Sequence, residues 1–445
     1  MISYVTKRNG QVENVDYDKI NKCVNLACEG LDDVSASEVI LGAKLNLYEG
    51  ISTSDIDNSM IMSARALIER EPNYSYVAAR LLLNTIYKEV FGISTNNVNF
   101  EVLYRAWFIE NIEKLVKQDI LNKKLITNFD LDDLADYLCL ERDRLFKYMG
   151  LFTLKERYLK RDRSNKICQT PQMFHMVVAM GLTVNENSLV RQSLCKQLYD
   201  SMSKHEFSPS TPTLFNSGST HSQLSSCYLS TLEDSTDGIM QEMASQAKLS
   251  KFAGGLGLDI TNIRGAESKI KSTNGTSSGV IPYAAVFDRV LVAFNQAGKR
   301  YGSGCLYLET WHIDIIDFLH LRKTTGDERR RTTNTDTAAW INDLLMEYKK
   351  TDRLWYLFSP DDCPDLHSLY GEEFKVRYEY YVKEAEMGNI KNFKTISSKK
   401  LMKEMYTQYC ETAHPFHCFK DSCNIRYMNK HKGVINSSNL CCVTE

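Results

Sequence analysis

The sequence predicts an α/β protein built from three stretches of different texture, and one observation from each stretch supports it. In residues 1 to about 90, a short alternating run with an Asn-Gly turn precedes four capped, helix-periodic segments. Residues from about 95 to 205 read as helix after helix. From about 206 onward Ser, Thr, Gly and Asn become frequent, and short apolar runs alternate with helical ones, the pattern of strands followed by helices.

In the first stretch, Ile2, Tyr4 and Thr6 alternate before Arg8-Asn9-Gly10, and Val12 and Val15 follow, which predicts a hairpin. Asp16 caps a first helix with Ile20, Val24 and Ala27 on one face. Ser35-x-x-Glu38 is a capping box for a second helix, and Ser52-x-x-Asp55 resembles one for a third. A fourth helix runs from about Tyr74 to Val90. The middle stretch predicts helices over Val102 to Gln118, Leu131 to Met149, Gln172 to Met180 and Ser188 to Met202, and no residue in it suggests chemistry. In the last stretch, Gly304 to Leu308 reads as a strand, with helices over Ile341 to Lys349 and Lys399 to Thr412.

The 445 residues have room for two or three domains and a large core. Hydrophobic content of 43% and charged content of 25% are typical of a globular protein. The net charge of -2 argues against a nucleic-acid groove or an anionic-membrane patch as the main business. The start, Met1 to Val5, lacks the basic and apolar segments of a secretory signal. The most apolar run, Met173 to Leu182, contains a His and is too short to span a bilayer. A cytoplasmic location is expected, with no membrane or nucleic-acid partner. The thirteen cysteines are scattered and expected to be reduced; most, such as Cys23 and Cys28, read as small core residues. Only Cys227 and Cys441 stand out by context. His312 and Asp314 form a lone pair, short of the three or four ligands a zinc site needs, so no metal site is expected.

Candidate chemistry comes from several ordered motifs. Asn439 and Cys441 flank one leucine, so in an extended segment an amide and a thiol face one target. An amide both donates and accepts hydrogen bonds, which suits a hydroxylated substrate. Ser208 to Asn216 carries hydroxyls in a turn set by Pro209 and Pro212, a plausible phosphate cradle. Gln223-Leu224-Ser225-Ser226-Cys227 follows. Gly254-Gly255-Leu256-Gly257 is weak by itself and is not a Rossmann fingerprint. Near the N-terminus, Lys7, Arg8, Lys19 and Lys88 offer charge-assisted contacts to phosphates.

Taken in order, these motifs resemble the large subunit of class I ribonucleotide reductase, and the hairpin with four helices resembles its ATP-cone. The resemblance implies an ATP-cone over 1–92, a helical domain over 93–205, and over 206–445 the first half of a ten-stranded α/β barrel threaded by a finger loop. It implies that Lys7, Arg8, Glu13, Lys19, Thr53, Asp57 and Lys88 bind ATP or dATP. Thr211 and Ser226 would touch a ribonucleoside diphosphate. Cys227 would be one of two thiols whose oxidation supplies the electrons that replace the ribose 2′-hydroxyl by hydrogen. Its partner lies beyond the finger in the family. Asp234, Ser235, Lys251, Arg264 and Ile270, with residues 253–257, would form a specificity site for deoxynucleoside triphosphates at the interface of a homodimer. An acid for the sugar and two cations for the triphosphate fit that ligand. Gln296 and Arg300 sit in a loop that would carry the effector's identity to the substrate; Tyr301 is unusual there. Cys441 would become a thiyl radical that takes the 3′-hydrogen, with Asn439 on the sugar hydroxyls. The implied company is Mg2+ with the effectors, a metal-containing small subunit that supplies the radical, and thioredoxin or glutaredoxin as reductant, with no covalently bound cofactor.

The same finger departs from the family. The family reads Asn-Leu-Cys-x-Glu, its Glu removing a proton from the 3′-hydroxyl, and here the Glu position holds Val443. Glu445 lies four residues past Cys441, not two, and does not substitute. The expectation is an N-terminal portion that needs a downstream barrel fragment. Cys442-Val443-Thr444-Glu445 resembles the opening of an intein, with a split gene or a truncated frame as the other routes. The alternative function is a fragment that binds nucleotide effectors and catalyses nothing.

Overall fold

The computed structural model describes residues 3–92, 100–251, 254–270, 273–294 and 302–440 and forms two compact units, Met1–Leu224 and Ser225–Glu445. The first unit opens with the expected antiparallel hairpin, β1 (Tyr4–Thr6) and β2 (Val12–Asn14). Four helices follow: α1 (Tyr17–Cys28), α2 (Ala36–Lys44), α3 (Thr53–Ala66) and α4 (Tyr74–Phe91). The caps do what their side chains predict. Asp16 accepts from the Asp18 and Lys19 amides, Ser35 from Glu38, and Ser52 from Asp55, each satisfying a helix N–H that has no partner inside the helix. Helix α4 is buried on most of its surface and ends at Gly92, in the left-handed conformation that glycine adopts without strain.

Helices α5 (Phe100–Lys117), α6 (Lys124–Thr127), α7 (Leu131–Tyr137), α8 (Tyr148–Thr153), α9 (Pro171–Thr183), α10 (Ser188–Ser203) and α11 (Thr211–Asn216) complete the unit. The single helix expected over Leu131 to Met149 is broken: a 3-10 turn, Leu140–Leu145, separates α7 from α8. The break turns Asp143 inward. There it accepts from Gln172 Nε2 at 2.7 Å and from the Tyr87 hydroxyl of α4. Tyr199 donates to Gln172 Oε1 at 2.6 Å and accepts from the Cys139 amide at 2.9 Å. Burial pushes the Asp143 carboxyl up to about 7, with Tyr87 and Gln172 opposing it. A polar residue at a core position looks like surface in a periodicity count, so the break was hidden.

The second unit is α/β, as expected. Its strands β3 (Cys227–Thr231), β4 (Gly255–Asp259), β7 (Ser303–Glu309), β8 (Asp336–Ile341) and β11 (Phe416–Phe419) form one all-parallel sheet in the order β11-β8-β7-β4-β3. Two short antiparallel pairs, β5 (Ala266–Ile270) with β6 (Gly275–Ser278) and β9 (Leu354–Phe358) with β10 (Phe393–Ser397), lie outside it. The helices are α12 (Thr236–Lys251), α13 (Ile281–Ala293), α14 (Ile315–Leu319), α15 (Asp343–Thr351), α16 (Gly371–Glu386), α17 (Ser398–Thr412) and α18 (Lys420–Arg426). Side chains alternate across the sheet. Leu306, Leu308, Ala339 and Ile341 pack with Phe287, Leu345 and Met402 on the helix side. Cys305, Tyr307, Ala338, Trp340 and Cys418 form a layer on the opposite face, joined by Ile435 and Leu440.

That inner layer ends in charge. Asp259 and Glu309 terminate β4 and β7, and Lys420 directly follows β11. Lys420 Nζ donates to Glu309 Oε1 and to the His367 carbonyl, each at 2.7 Å. His367 Nδ1 lies 2.9 Å from Glu309, and its Nε2 lies 2.9 Å from Asp259 Oδ2. All four groups are buried. Two acids and two bases cancel, which is the condition for tolerating charge in a dry interior. Burial alone pulls the His367 imidazole down, but Asp259 and Glu309 outweigh it and hold it up at about 9. Burial likewise raises Asp259, and His367 outweighs it, so its carboxyl sits below the usual range.

The sign of the pH dependence follows. A protonated His367 stabilises the fold fully below its unfolded value near 6.5, and that contribution is lost as pH rises through about 9. The Asp259 contribution is lost only in acid, as pH falls below the unfolded value of about 3.9 and through its lowered folded one. Trp311, Trp340 and Trp355 lie in this unit, and only Trp107 lies outside it. Urea unfolding followed by tryptophan fluorescence should therefore lose on the order of 1–3 kcal/mol between pH 6.5 and 9.5. His367→Gln should flatten that slope; an equal slope in the variant contradicts the assignment.

Candidate functional site

Residues 434–440 run across the inner face of the sheet. The base of this finger is clamped by Asn424, whose Oδ1 accepts from the Ile435 amide at 2.7 Å and whose Nδ2 donates to the Ile435 carbonyl at 2.9 Å. Ser437 and Ser438 are buried. A Cβ on Gly257 would stand 1.9 Å from the Ser438 carbonyl oxygen, and one on Gly255 would meet Leu440 at 3.6 Å. A Cβ on Gly254 would meet the Tyr228 ring instead, so the track for the crossing finger is Gly255 and Gly257. Sequence reasoning placed them in the specificity site; their partner is distant in the chain, so no local pattern shows it. The Tyr307 hydroxyl donates to the Asn439 carbonyl at 2.6 Å.

The finger delivers Asn439 to Cys227. Asn439 Nδ2 donates to Cys227 Sγ at 2.9 Å across 212 residues of sequence. Ser226 Oγ lies 3.4 Å from the same sulfur. Cys227 begins β3 and is exposed. An accessible thiol held by an amide donor can exchange with another thiol or meet a small ligand. Cys441 lies outside the described residues. Thr211 belongs to the first unit, where it begins the short helix α11 rather than a bare turn, with Pro212 in the first helical turn and Tyr158 Oη 3.1 Å from its hydroxyl.

The expected specificity residues are partly assembled. Arg264 Nε pairs with Asp234 Oδ2 at 2.7 Å, and Arg264 Nη1 donates to the Lys269 carbonyl at 3.1 Å. The acid and the cation expected to take separate parts of a nucleotide thus hold each other. Ser235 Oγ accepts from the Gly238 amide at 3.0 Å at the start of α12, Lys251 ends that helix, and Ile270 ends β5. Gln296 and Arg300 lie outside the described residues.

In the first unit, two of the candidate phosphate ligands converge on one buried carboxylate. Asp57 of α3 accepts from Arg8 at 2.8 Å and from Lys88 Nζ at 3.0 and 3.1 Å. Lys7 pairs with Glu13 at 2.7 Å, Lys19 lies 3.4 Å from Asp16, and Thr53 begins α3. The buried acid fixes two cations from different elements side by side, a preorganised arrangement for phosphate oxygens.

His312 and Asp314 serve the fold. His312 Nε2 lies 2.8 Å from the Ile263 carbonyl, and Asp314 accepts from the Ala266 and Val280 amides, each at 3.1 Å. Among the described residues, no group of three His, Cys, Asp or Glu side chains could hold a metal, and no helix is long and apolar enough to cross a membrane.

The track makes a steric prediction. Gly257→Ala puts a methyl where the Ser438 carbonyl lies, and should cost about 1–3 kcal/mol in the urea midpoint as the finger is displaced. An unchanged midpoint would show that the finger does not rest on β4.

Comparison with known proteins identifies the family. Residues 3–89 match the ATP cone domain, residues 144–222 the ribonucleotide reductase all-alpha domain, and residues 225–443 the ribonucleotide reductase barrel domain. The ribonucleoside-diphosphate reductase subunit alpha of Chlamydia trachomatis is 44% identical over 438 residues, covering 98% of this chain and 42% of that protein. The subunit alpha of Helicobacter pylori J99 is 39% identical over 438 residues, covering 98% and 54%. The ribonucleoside-diphosphate reductase large subunit of vaccinia virus is 34% identical over 450 residues, covering 98% and 56%. The chain spans about half the length of these relatives. With three successive domains matched in order and relatives aligned along nearly its whole length, the chain belongs to the ribonucleotide reductase large-subunit family.

Proposed function

We propose that this chain supplies regulatory sites and part of the active site of a ribonucleoside-diphosphate reductase. The observation that carries the reading is the Asn439 amide set against the Cys227 thiol. In the proposed reaction the 2′-hydroxyl of a ribonucleoside diphosphate leaves as water. Cys227 and a second thiol become a disulfide and supply the two electrons and two protons. Asn439 and Ser226 bind the sugar, Thr211 the diphosphate, and Cys441 takes and returns the 3′-hydrogen as a thiyl. Its radical comes from a metal-containing small subunit, and thioredoxin or glutaredoxin restores the dithiol.

Two nucleotide sites regulate it. In the cone, Lys7, Arg8, Lys19 and Lys88 contact the phosphates of ATP or dATP, with Glu13, Thr53 and Asp57 around them. In the second site, Arg264 exchanges the Asp234 carboxylate for an effector phosphate and releases Asp234 to the sugar hydroxyl. Ser235, Lys251, Ile270, Gln296 and Arg300 complete that site at the interface of a homodimer.

Calorimetric titration with ATP and Mg2+ tests the cone. Lys88→Ala should weaken binding about ten- to a hundredfold, the worth of one charge-assisted contact. A parent that binds neither ATP nor dATP would refute this part. For the reaction, Cys227→Ser in the assembled enzyme should leave no detectable nucleoside-diphosphate reduction, because members of one catalytic unit do not subtract additively. Turnover at the parental rate would sink the assignment.

A further inference from the structure

We propose that Tyr307 is a positioning residue that sets the Asn439 amide against the Cys227 thiol; the functional weight of this rests on the reading of that pair as part of the active site. Tyr307 lies on β7, which is flanked by β4 and β8 in the parallel sheet. Its side chain is fully buried in the layer with Cys305, Ala338, Trp340 and Cys418. The Trp340 ring stands edge-on to it, 5.7 Å between centroids and 85° between planes, so the phenol has little freedom to tilt. Its hydroxyl donates to the Asn439 carbonyl at 2.6 Å.

The carbonyl that Tyr307 holds and the amide that meets Cys227 belong to one residue. Holding the first fixes the backbone from which the second projects. The neighbouring strand completes the seat: Gly257 lets the Ser438 carbonyl lie against β4, where a Cβ would be 1.9 Å away. The segment Ser438 to Leu440 is thus held by a donor from β7 and by the absence of side chains on β4. Neither fastening touches the thiol itself. Tyr307→Phe would keep the ring packing and delete only the hydroxyl.

The test reads thiol chemistry in this chain alone, with neither nucleotide nor small subunit, so its outcome is separate from that of the reductase reading. Iodoacetamide alkylation of Cys227 is followed at fixed pH by peptide-resolved mass spectrometry. At about pH 7, below the range of an ordinary thiol, losing the amide donor leaves the reactive thiolate less stabilised and should lower the rate about two- to tenfold, the worth of one hydrogen bond. Tyr307→Phe and Asn439→Ala should lower it by the same factor, and the double variant by no more than either, since both act on one contact. Exposed Cys410 and buried Cys363 of the same unit serve as controls and should keep their parental rates. The proposal is overturned if Tyr307→Phe alkylates Cys227 at the parental rate, or if Asn439→Ala does. It is overturned equally if the two effects multiply, or if buried Cys363 alkylates faster than in the parent, which would mark general loosening.

Discussion

A main chain laid flat against a parallel sheet requires the strand beneath it to give up its side chains. That constraint, met at Gly257 and eased at Gly255, organises the second unit. It lets residues 434–440 cross the inner face close enough for Tyr307 to reach a backbone carbonyl and for Asn439 to reach Cys227. Any larger residue at 257 would lift the finger and separate two groups that are far apart in the sequence. The chemistry proposed for this chain therefore depends on an absence of atoms on β4 as much as on the reactive groups themselves.

The inner face must also be closed at the ends of its strands. Asp259, Glu309, His367 and Lys420 do this as a neutral, buried set that ties β4, β7 and β11 to the turn carrying His367. Such a set adds little net stability compared with apolar packing, but it is costly to break, because removing one member leaves its partner charged and dry. The next residue extends the same logic. Asp421 accepts from the Asp343 amide at 2.7 Å and the Gly371 amide at 3.0 Å, so one buried carboxylate serves the first turns of α15 and α16. The base of the finger grows from this fixed platform through Asn424 on α18.

What was legible in the sequence was local. Asp16, Ser35 and Ser52 cap helices within three residues of themselves, and each was readable without the rest of the chain. The apolar run at 304–308 marks β7 because a strand covered on both faces has few polar residues. The motif order carried the family. Groups whose partners are distant stayed hidden. Lys420 meets Glu309 across 111 residues and His367 meets it across 58, and nothing local announced these pairings. Asp143 lay inside the helix expected over Leu131 to Met149, and its partners, Tyr87 and Gln172, come from other helices. Asp234 and Arg264 were expected to meet separate parts of a nucleotide, and their mutual pairing had no local pattern to show it.

The central claim is that the finger places the Asn439 amide on the Cys227 sulfur. Selective nitrogen-15 labelling of asparagine side chains tests it most directly. Asn439→Ala identifies the Asn439 amide resonances by their loss. The account predicts that Cys227→Ala shifts that same pair and leaves the Asn424 pair, which is bonded to the Ile435 backbone, in place. An Asn439 amide indifferent to the loss of the thiol would contradict it.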